Sequence, residues 1–414
     1  MSSKVSSMDP NRMWEAFDFD YSFNPQDIFA DLISVEGYKQ AALSLVLPPE
    51  WRNQLDRLNR IRAVYGTTAL EGNPLSEAEV EHQIDLVDQE QEARDDTRVP
   101  RVSIEQLQIR NAARAQAWVK TRFLPGAPPV SLGDILLMHK MVTQRSDEEH
   151  NTPGELRSFP VIVGSSDMGG VHRCAPHEDL GALMEGFVEF LNSNRLQSQH
   201  PVIRALLAHF FLVTIHPFGD GNGRVSRLLE AGILFQSEYN VHGFYGLSNY
   251  FYGNETEYKT SLQQSRQRLP FDVAPFVKFG VKGSVSELAG INNFIKTKIN
   301  RVVYRQMILQ NYQKRLGVRR RILNLREYNL LTFLLAATEP LDPFSETPSR
   351  QITLAELQGS QYIEAAYRDV TRRTFYRELV RLAGAGFIRF EEGKSATGPI
   401  VELDFGAIAR YQIT

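Results

Sequence analysis

Cysteine is almost absent from this 414-residue sequence, where Cys174 stands alone. A single thiol excludes an internal disulfide and a cysteine-based zinc site, and its isolation fits a reducing compartment. No apolar run reaches the roughly 18 residues that a membrane-spanning helix needs, and Met1 to Pro10 lacks the apolar core of a signal peptide. A cytoplasmic chain with no membrane partner is therefore expected. Strong net charge is lacking too, at −3 overall. That balance hides an asymmetry: residues 291–414 carry 19 Lys and Arg against 12 Asp and Glu, a net +7, which leaves 27 against 37, or −10, for residues 1–290. Hydrophobic content of 42% and charged content of 23% describe a globular chain of two or three domains with a substantial core.

The chemistry that is present concentrates in His216-Pro217-Phe218-Gly219-Asp220-Gly221-Asn222-Gly223-Arg224-Val225-Ser226-Arg227. Upstream, Pro201 to Ile215 is so densely apolar that a helix buried on nearly all sides is expected, and downstream Val225 to Leu234 resumes a helical pattern. The stretch is thus a loop between a helix end and a helix start. Gly219, Gly221 and Gly223 let the backbone turn its N–H groups to a ligand, and the following helix adds the positive end of its dipole. Arg224 and Arg227, three apart, can fork onto successive phosphates. Asp220 is a hard oxygen ligand that suits Mg²⁺, and His216 has the side chain whose ordinary pKa suits general-base work near neutrality. Each residue alone reads as part of an ordinary interhelical turn; the set points to a phosphate-handling site.

This stretch resembles the Fic motif, His-x-Phe-x-(Asp/Glu)-Gly-Asn-Gly-Arg-x-x-Arg, at every specified position. The resemblance implies a nucleotidyltransferase that moves AMP from ATP onto a hydroxyl side chain of a target protein. His216 would deprotonate that hydroxyl, Asp220 would hold Mg²⁺ against the α- and β-phosphates, Gly221, Asn222 and Gly223 would cradle the anion, and Arg224 and Arg227 would bind the outer phosphates. Phe218 would tuck the loop into the core. Thr67-Thr68-Ala69-Leu70-Glu71-Gly72 read bare is a helix with a glycine stop, but beside the Fic motif it resembles the inhibitory motif (Ser/Thr)-x-x-x-Glu-(Gly/Asn). The resemblance then implies that Thr67, Glu71 and Gly72 restrain the enzyme, with Glu71 pairing to Arg227 and denying it to the γ-phosphate. A homodimer is a further family-level expectation.

In chain order, Trp14, Phe17, Phe19, Tyr21 and Phe23 are expected to pack across the main body, and Pro48-Pro49 to open a helix from Trp51 to Val64. Ser76 and Glu79 form a capping box. Asp85, Asp88, Glu90, Glu92, Asp95 and Asp96 read as a solvated helix face and linker. Helices follow over 103–122 and from Ser131. Phe159 to Gly164 and Val171 to Pro176 form a β-hairpin; in the family such a flap docks the target by main-chain pairing, here with Val161, Ile162, Val163 and Gly164. Arg157, in the family-like Gly154-Glu155-Leu156-Arg157, is expected to orient that flap, with contact to nucleotide as the competing reading. Leu247 to Tyr258, after the motif helix, resembles the family's nucleotide-side helix, which implies Asn254 at the base or ribose with Tyr250 or Tyr258 flanking it, and ordinary helix packing as the competing reading. Which of ATP, GTP, CTP and UTP is used stays open, as does removal of AMP with Glu71 positioning water.

Residues 291–414 lie outside the catalytic resemblance. Ile291 to Arg321 reads as a long basic helix, followed by helices from Leu325 to Ala337, Thr353 to Leu357 and Val370 to Leu382, then strands Phe387 to Phe390 and Ile400 to Leu403. That order resembles a winged helix-turn-helix. Arg372, Arg373, Arg377 and Lys394 form a possible DNA-phosphate footprint, against a degenerate wing that serves dimerisation or target recognition. The expected architecture is mainly α: an N-terminal helical region over 1–110 with the inhibitory motif, a Fic helical core with its β-hairpin flap over 111–290, and the winged-helix region over 291–414. A DNA-binding regulator with a nucleotide-sensing core is the second reading.

Overall fold

The computed structural model describes residues 10–92, 102–149, 151–165, 170–316, 320–339, 350–391 and 398–411. Asp95, Asp96, Arg319, Lys394, the prolines at 340, 343 and 348 and the turn at 166–169 lie outside the described residues. The fold is mostly helical and divides into two compact units, Met1–Ala289 and Gly290–Thr414. The boundary falls inside a helix, Ala274–Gln313, and position 110 falls inside another, Ile104–Arg122.

The first unit is built on the apolar run. Helix Pro201–Ile215 offers no polar face, so burial on all sides is its only stable solution, and Leu206, Leu207, Phe210 and Phe211 are fully buried. Each such side chain contributes roughly 1.5–3 kcal/mol of transfer free energy. Helix Asn222–Gln236 packs along it, and Ile104–Arg122, Leu132–Thr143 and Pro49–Ala69 pack on that second helix in turn. Capping boxes fix where neighbours begin: Ser103 with Gln106, and Ser131 with Asp134. Ser76 and Glu79 exchange the same bonds before helix Glu77–Glu92. The acidic face of that helix is paired rather than simply solvated, since Arg57 meets Glu81 and Asp85 and Arg60 meets Asp88. Such exposed pairs contribute about 0–1 kcal/mol each.

The N-terminal aromatics pack on the core. Phe19 stacks on Phe190 at 5.3 Å, Phe17 meets Phe211 at 6.3 Å, and Tyr21–Ser22 forms a parallel pair with Phe271–Asp272. Trp14 donates its indole N–H to the Arg173 carbonyl at 3.1 Å, tying the start of the described chain to the flap.

In the second unit, helices Leu325–Ala337, Leu354–Gln358, Gln361–Ala366 and Arg372–Gly384 surround a three-stranded sheet ordered Ile352–Thr353, Ile400–Leu403, Ile388–Glu391. Its own core gathers Tyr304, Leu330, Leu334, Phe375, Phe387 and Val401. Two expectations need correction. The basic helix expected over 291–321 starts earlier and stops at Gln313, and Arg315–Leu316 pairs antiparallel with Arg320–Arg321. Helix Gln361–Ala366 was not foreseen; six residues are too few to show a helical period, although Ser360 caps it. Among the described residues no helix is long and apolar enough to cross a membrane.

Candidate active site

Helix Pro201–Ile215 terminates at His216, whose backbone adopts the left-handed conformation, φ 56° and ψ 61°, while its N–H still reaches the Leu212 carbonyl at 2.9 Å. A side chain is uncommon there and costs about 1–2 kcal/mol, so the surroundings must impose it. Buried Arg157 does much of this: its Nε donates to the His216 carbonyl at 2.8 Å, its other nitrogens to the carbonyls of Phe159 and Ala175 at 2.6 Å each, and its backbone N–H to Pro217 at 3.0 Å. It therefore links both roots of the flap to the loop and spends its donors on backbone.

The loop is braced from within. Asn222 accepts from the Phe218 N–H at 3.0 Å and donates to the Phe218 carbonyl at 2.9 Å, so its side chain closes the turn and only its backbone is left for a ligand. Phe218 is fully buried and stacks on His139 with centroids 3.8 Å apart. His139 accepts from the Gly154 N–H at 3.0 Å through Nδ1, so its Nε2–H donates to the Asp220 carbonyl at 3.2 Å. Gly221, at φ 77°, caps helix Asn222–Gln236, and a Cβ there would sit 2.8 Å from Thr143 Cγ2. A Cβ on Gly223 would collide with Glu71 Oε1 and lie 2.9 Å from Arg227 Nη1. Gly219 is half-buried in the same turn.

The two motif arginines are already engaged. Arg224 bonds Asp147 at 2.8 Å and Asp220 at 3.2 Å, with its buried Nε left without a partner. Arg227 donates to Thr67 Oγ1 at 2.7 Å, to the Thr67 carbonyl at 3.1 Å and to Glu71 Oε1 at 2.5 Å. Thr67 lies in helix Pro49–Ala69 and Glu71 just beyond it, one turn on, where Gly72 at φ 85° lets the chain turn away. Burial works to raise the Glu71 carboxyl, but Arg227 and Arg224 outweigh it and hold the group below the ordinary carboxylate value. His216 is pushed down to about 4 by burial, with Arg266 and Arg157 adding to the shift, so its imidazole is neutral near pH 7.

A cavity of about 480 Å³ opens here, lined by Leu70, Glu71, Val163, Gly164, Ser165, Val213, His216, Gly223, Arg227, Tyr258, Lys259, Leu262, Gln263 and Arg266. Its size is that of a small-molecule site. The structure thus brings His216, Gly223, Arg227, Glu71, Tyr258, Val163 and Gly164 to one space. Gly219, Asp220, Gly221, Asn222 and Arg224 lie in the loop beside it and do not line it, and Asn254 donates to the Tyr250 carbonyl at 2.9 Å instead. One wall escaped the sequence reading: Lys259, Leu262, Gln263 and Arg266 share a face of helix Glu255–Ser265 and its last turn. Their spacing of three and four from one another was the available signal. Gln263 donates to Gly170 at the flap tip at 2.5 Å, and Arg266 bonds Thr214 Oγ1 at 3.0 Å and the Val213 carbonyl at 3.1 Å.

The flap strands are Ile162–Ser165 and Gly170–Arg173, with Val163 opposite His172, and the Cys174 N–H extends the pairing to the Val161 carbonyl at 3.1 Å. Among the described residues the outer edge of Ile162–Ser165 is unpaired. No group of three or more metal-ligating side chains occurs among the described residues. Asp220 is half exposed, which fits a Mg²⁺ ion taken from one carboxylate, substrate phosphates and water.

Behind the flap, His172 donates Nε2–H to the Thr214 carbonyl at 2.9 Å. Burial, with Arg266 and His216 nearby, pushes its pKa down to about 3. The unfolded chain therefore takes up a proton that the folded one refuses, and stability present above pH 6.5 is lost as pH falls towards 3. This one residue is expected to cost roughly 4 kcal/mol across that window. His172→Asn should flatten the fall of the melting midpoint with acid; an unchanged slope would show that other groups carry it.

Residues 129–234 match the family model described as Fic/DOC family. Over 110 residues the chain is 43% identical to Protein adenylyltransferase Fic of Drosophila grimshawi, a stretch covering 27% of this chain and 21% of that protein. The chain thus spans about a fifth of the length of the curated relatives it matches. Fic-1 from C. elegans is similar in structure, with a TM-score of 0.51 at 25% identity over 66% of this chain and 75% of that one. A Fic family protein from Desulfovibrio desulfuricans G20 gives 0.51 at 19% identity over 94% and 98%, a likeness of fold alone.

Proposed function

We propose that this chain, which carries a Fic/DOC domain over residues 129–234, is a nucleotidyltransferase that moves AMP from ATP to a hydroxyl of another protein and is restrained by its own Glu71. The observation that carries this reading is the pairing of Glu71 with Arg227 in the cavity that also holds a neutral His216. The target segment lies along the open edge of Val161, Ile162, Val163 and Gly164, and its hydroxyl proton passes to the His216 imidazole. The hydroxyl oxygen attacks the α-phosphorus, the bond to the β-phosphate breaks, and pyrophosphate leaves. Such transfer needs positioning and charge neutralisation more than covalent help, which suits a loop of backbone N–H groups at a helix start. Asp220 would hold Mg²⁺, which supplies positive charge to the phosphates when bound. Arg227 meets the outer phosphate once Glu71 withdraws, while Arg224, tied to Asp147 and Asp220, stiffens the loop from behind.

The test is transfer of label to proteins of a cell lysate from α-labelled ATP, with GTP, CTP and UTP in parallel and γ-labelled ATP as control. Stable α-label without γ-label supports the reading and names the nucleotide. Loss of AMP from a pre-modified protein would assign the reverse reaction, with Glu71 positioning water.

We read the second unit as a winged helix-turn-helix whose helix Arg372–Gly384 exposes Arg372, Arg373 and Arg377. This favours nucleic-acid contact as a second role. A mobility shift of duplex DNA by the full chain is expected to weaken steeply between about 50 and 200 mM salt. Absent or salt-insensitive binding would leave the unit as a protein-docking module.

A further inference from the structure

We propose that Asn73 is the positioning residue that seats Glu71 on Arg227, and that it does so through Gln108 and Asp147, which tie the inhibitory turn to the loop it restrains. This deepens the proposed restraint by Glu71 and rests on it. Asn73 follows Glu71 by two residues, just past Gly72, and does not line the cavity. Its Oδ1 accepts the Leu75 N–H at 3.1 Å, which leaves the amide nitrogen as the donor end. That nitrogen donates to the Glu105 carbonyl at 3.0 Å and to Gln108 Oε1 at 2.9 Å, both on helix Ile104–Arg122. With its oxygen so used, Gln108 turns its own amide nitrogen to Asp147 Oδ1 at 2.7 Å, and a carboxylate only accepts. The partners fix the direction of both amides, since turning either one over would set oxygen against oxygen.

Asp147 is buried, and its second oxygen takes Arg224 Nη1 at 2.8 Å and Ser146 Oγ at 2.7 Å. Arg224 and Arg227 are neighbours on the first turn of helix Asn222–Gln236, so the contacts close a ring. It runs from Glu71 to Arg227, along the helix to Arg224, then through Asp147, Gln108 and Asn73 back to Glu71. Such a ring sets where Glu71 stands relative to Arg227 without touching either. Glu71 needs that help: its side chain is a third exposed, and a Cβ on Gly72, at φ 85°, would meet nothing within 4 Å, so the turn has room to swing. An asparagine that merely shaped the turn would need only its oxygen; the clamp needs its nitrogen.

The test compares initial rates of α-label transfer from ATP to lysate proteins by the full chain, at equal protein and Mg²⁺. Asn73→Asp keeps the oxygen that the turn uses and replaces the donor with a second oxygen facing Glu105 and Gln108. It should raise the rate roughly 5- to 30-fold, the worth of one to two ordinary hydrogen bonds, and Gln108→Leu should act in the same direction. In a Glu71→Gly background neither change should move the rate by more than about twofold, because nothing is left to seat. Hydrogen exchange gives a readout independent of catalysis. The amides of Glu71, Gly72 and Asn73 close the turn onto the carbonyls of Thr68 and Ala69, and in Asn73→Asp they should exchange roughly tenfold faster. A wild-type rate in Asn73→Asp, or an equal rise on top of Glu71→Gly, would overturn the proposal: the first leaves Asn73 as a turn former, and the second bypasses Glu71. Unchanged exchange beside an activated Glu71→Gly chain would overturn the clamp and leave the restraint standing. Faster exchange with no rise from Glu71→Gly would instead overturn the restraint reading, and this inference with it.

Discussion

Glu71→Gly is expected to raise the rate of nucleotidyl transfer by roughly 5- to 150-fold, the range given by a coupling of about 1–3 kcal/mol between a restraint and the ligand it opposes. The carboxylate sits 2.5 Å from Arg227 Nη2, so under the proposed restraint a γ-phosphate would compete with Glu71 for one guanidinium. Removing it leaves Arg227 still bonded to Thr67, which limits the conformational freedom gained and keeps the arginine near its working position. The cost to stability is small for a buried pair, because Glu71 is a third exposed and water can replace it at the cavity mouth. The measurement is initial rate of α-label incorporation, wild type against variant, at equal protein and Mg²⁺. If the variant binds ATP and accepts a verified target yet runs at the wild-type rate, Glu71 is a structural partner of Arg227 and no restraint.

His216→Ala, introduced into the activated chain, is expected to remove at least two to four powers of ten of the rate, the usual worth of a positioned general base. ATP binding should survive, because the loop is braced by Asn222, Phe218 and Arg157 through backbone groups that the substitution leaves in place. Because burial keeps the imidazole neutral down to about pH 4, the rate of the activated enzyme should be nearly flat between about pH 6 and 8 and fall only in stronger acid. A rate that climbs tenfold per pH unit through neutrality would assign the proton to another group. Retained transfer in the alanine variant would remove His216 from the mechanism altogether.

How much of this was legible depended on whether the chemistry was contiguous. His216 to Arg227 sit in one loop, and Thr67 to Gly72 in one turn, so the sequence displays both sides of the Glu71–Arg227 contact even though 156 positions separate the partners. The capping box of Ser76 with Glu79 is local and was equally readable. Features set by tertiary packing were not. Asp147 takes Arg224 from outside the motif, and nothing in its own neighbourhood marks it. Asn222 turned out to brace the loop through its side chain, because an amide can pair with both polar groups of Phe218 at once. His209 reads in sequence as an interruption of an apolar helix; only the crossing of that helix with Asn222–Gln236 brings Glu230 to it. Asn254 spends its amide on its own helix because Tyr250 lies one turn back, nearer than any ligand.

The left-handed backbone at His216 sets robustness against chemistry. Glycine is the residue that such a helix end prefers, and a mutational drift towards a hardier fold would favour it there. Under the proposed mechanism, every step in that direction would delete the proton acceptor. The corner therefore separates scaffold from chemistry: His216→Gly is expected to raise the melting midpoint by relieving about 1–2 kcal/mol of backbone strain while abolishing the proposed transfer.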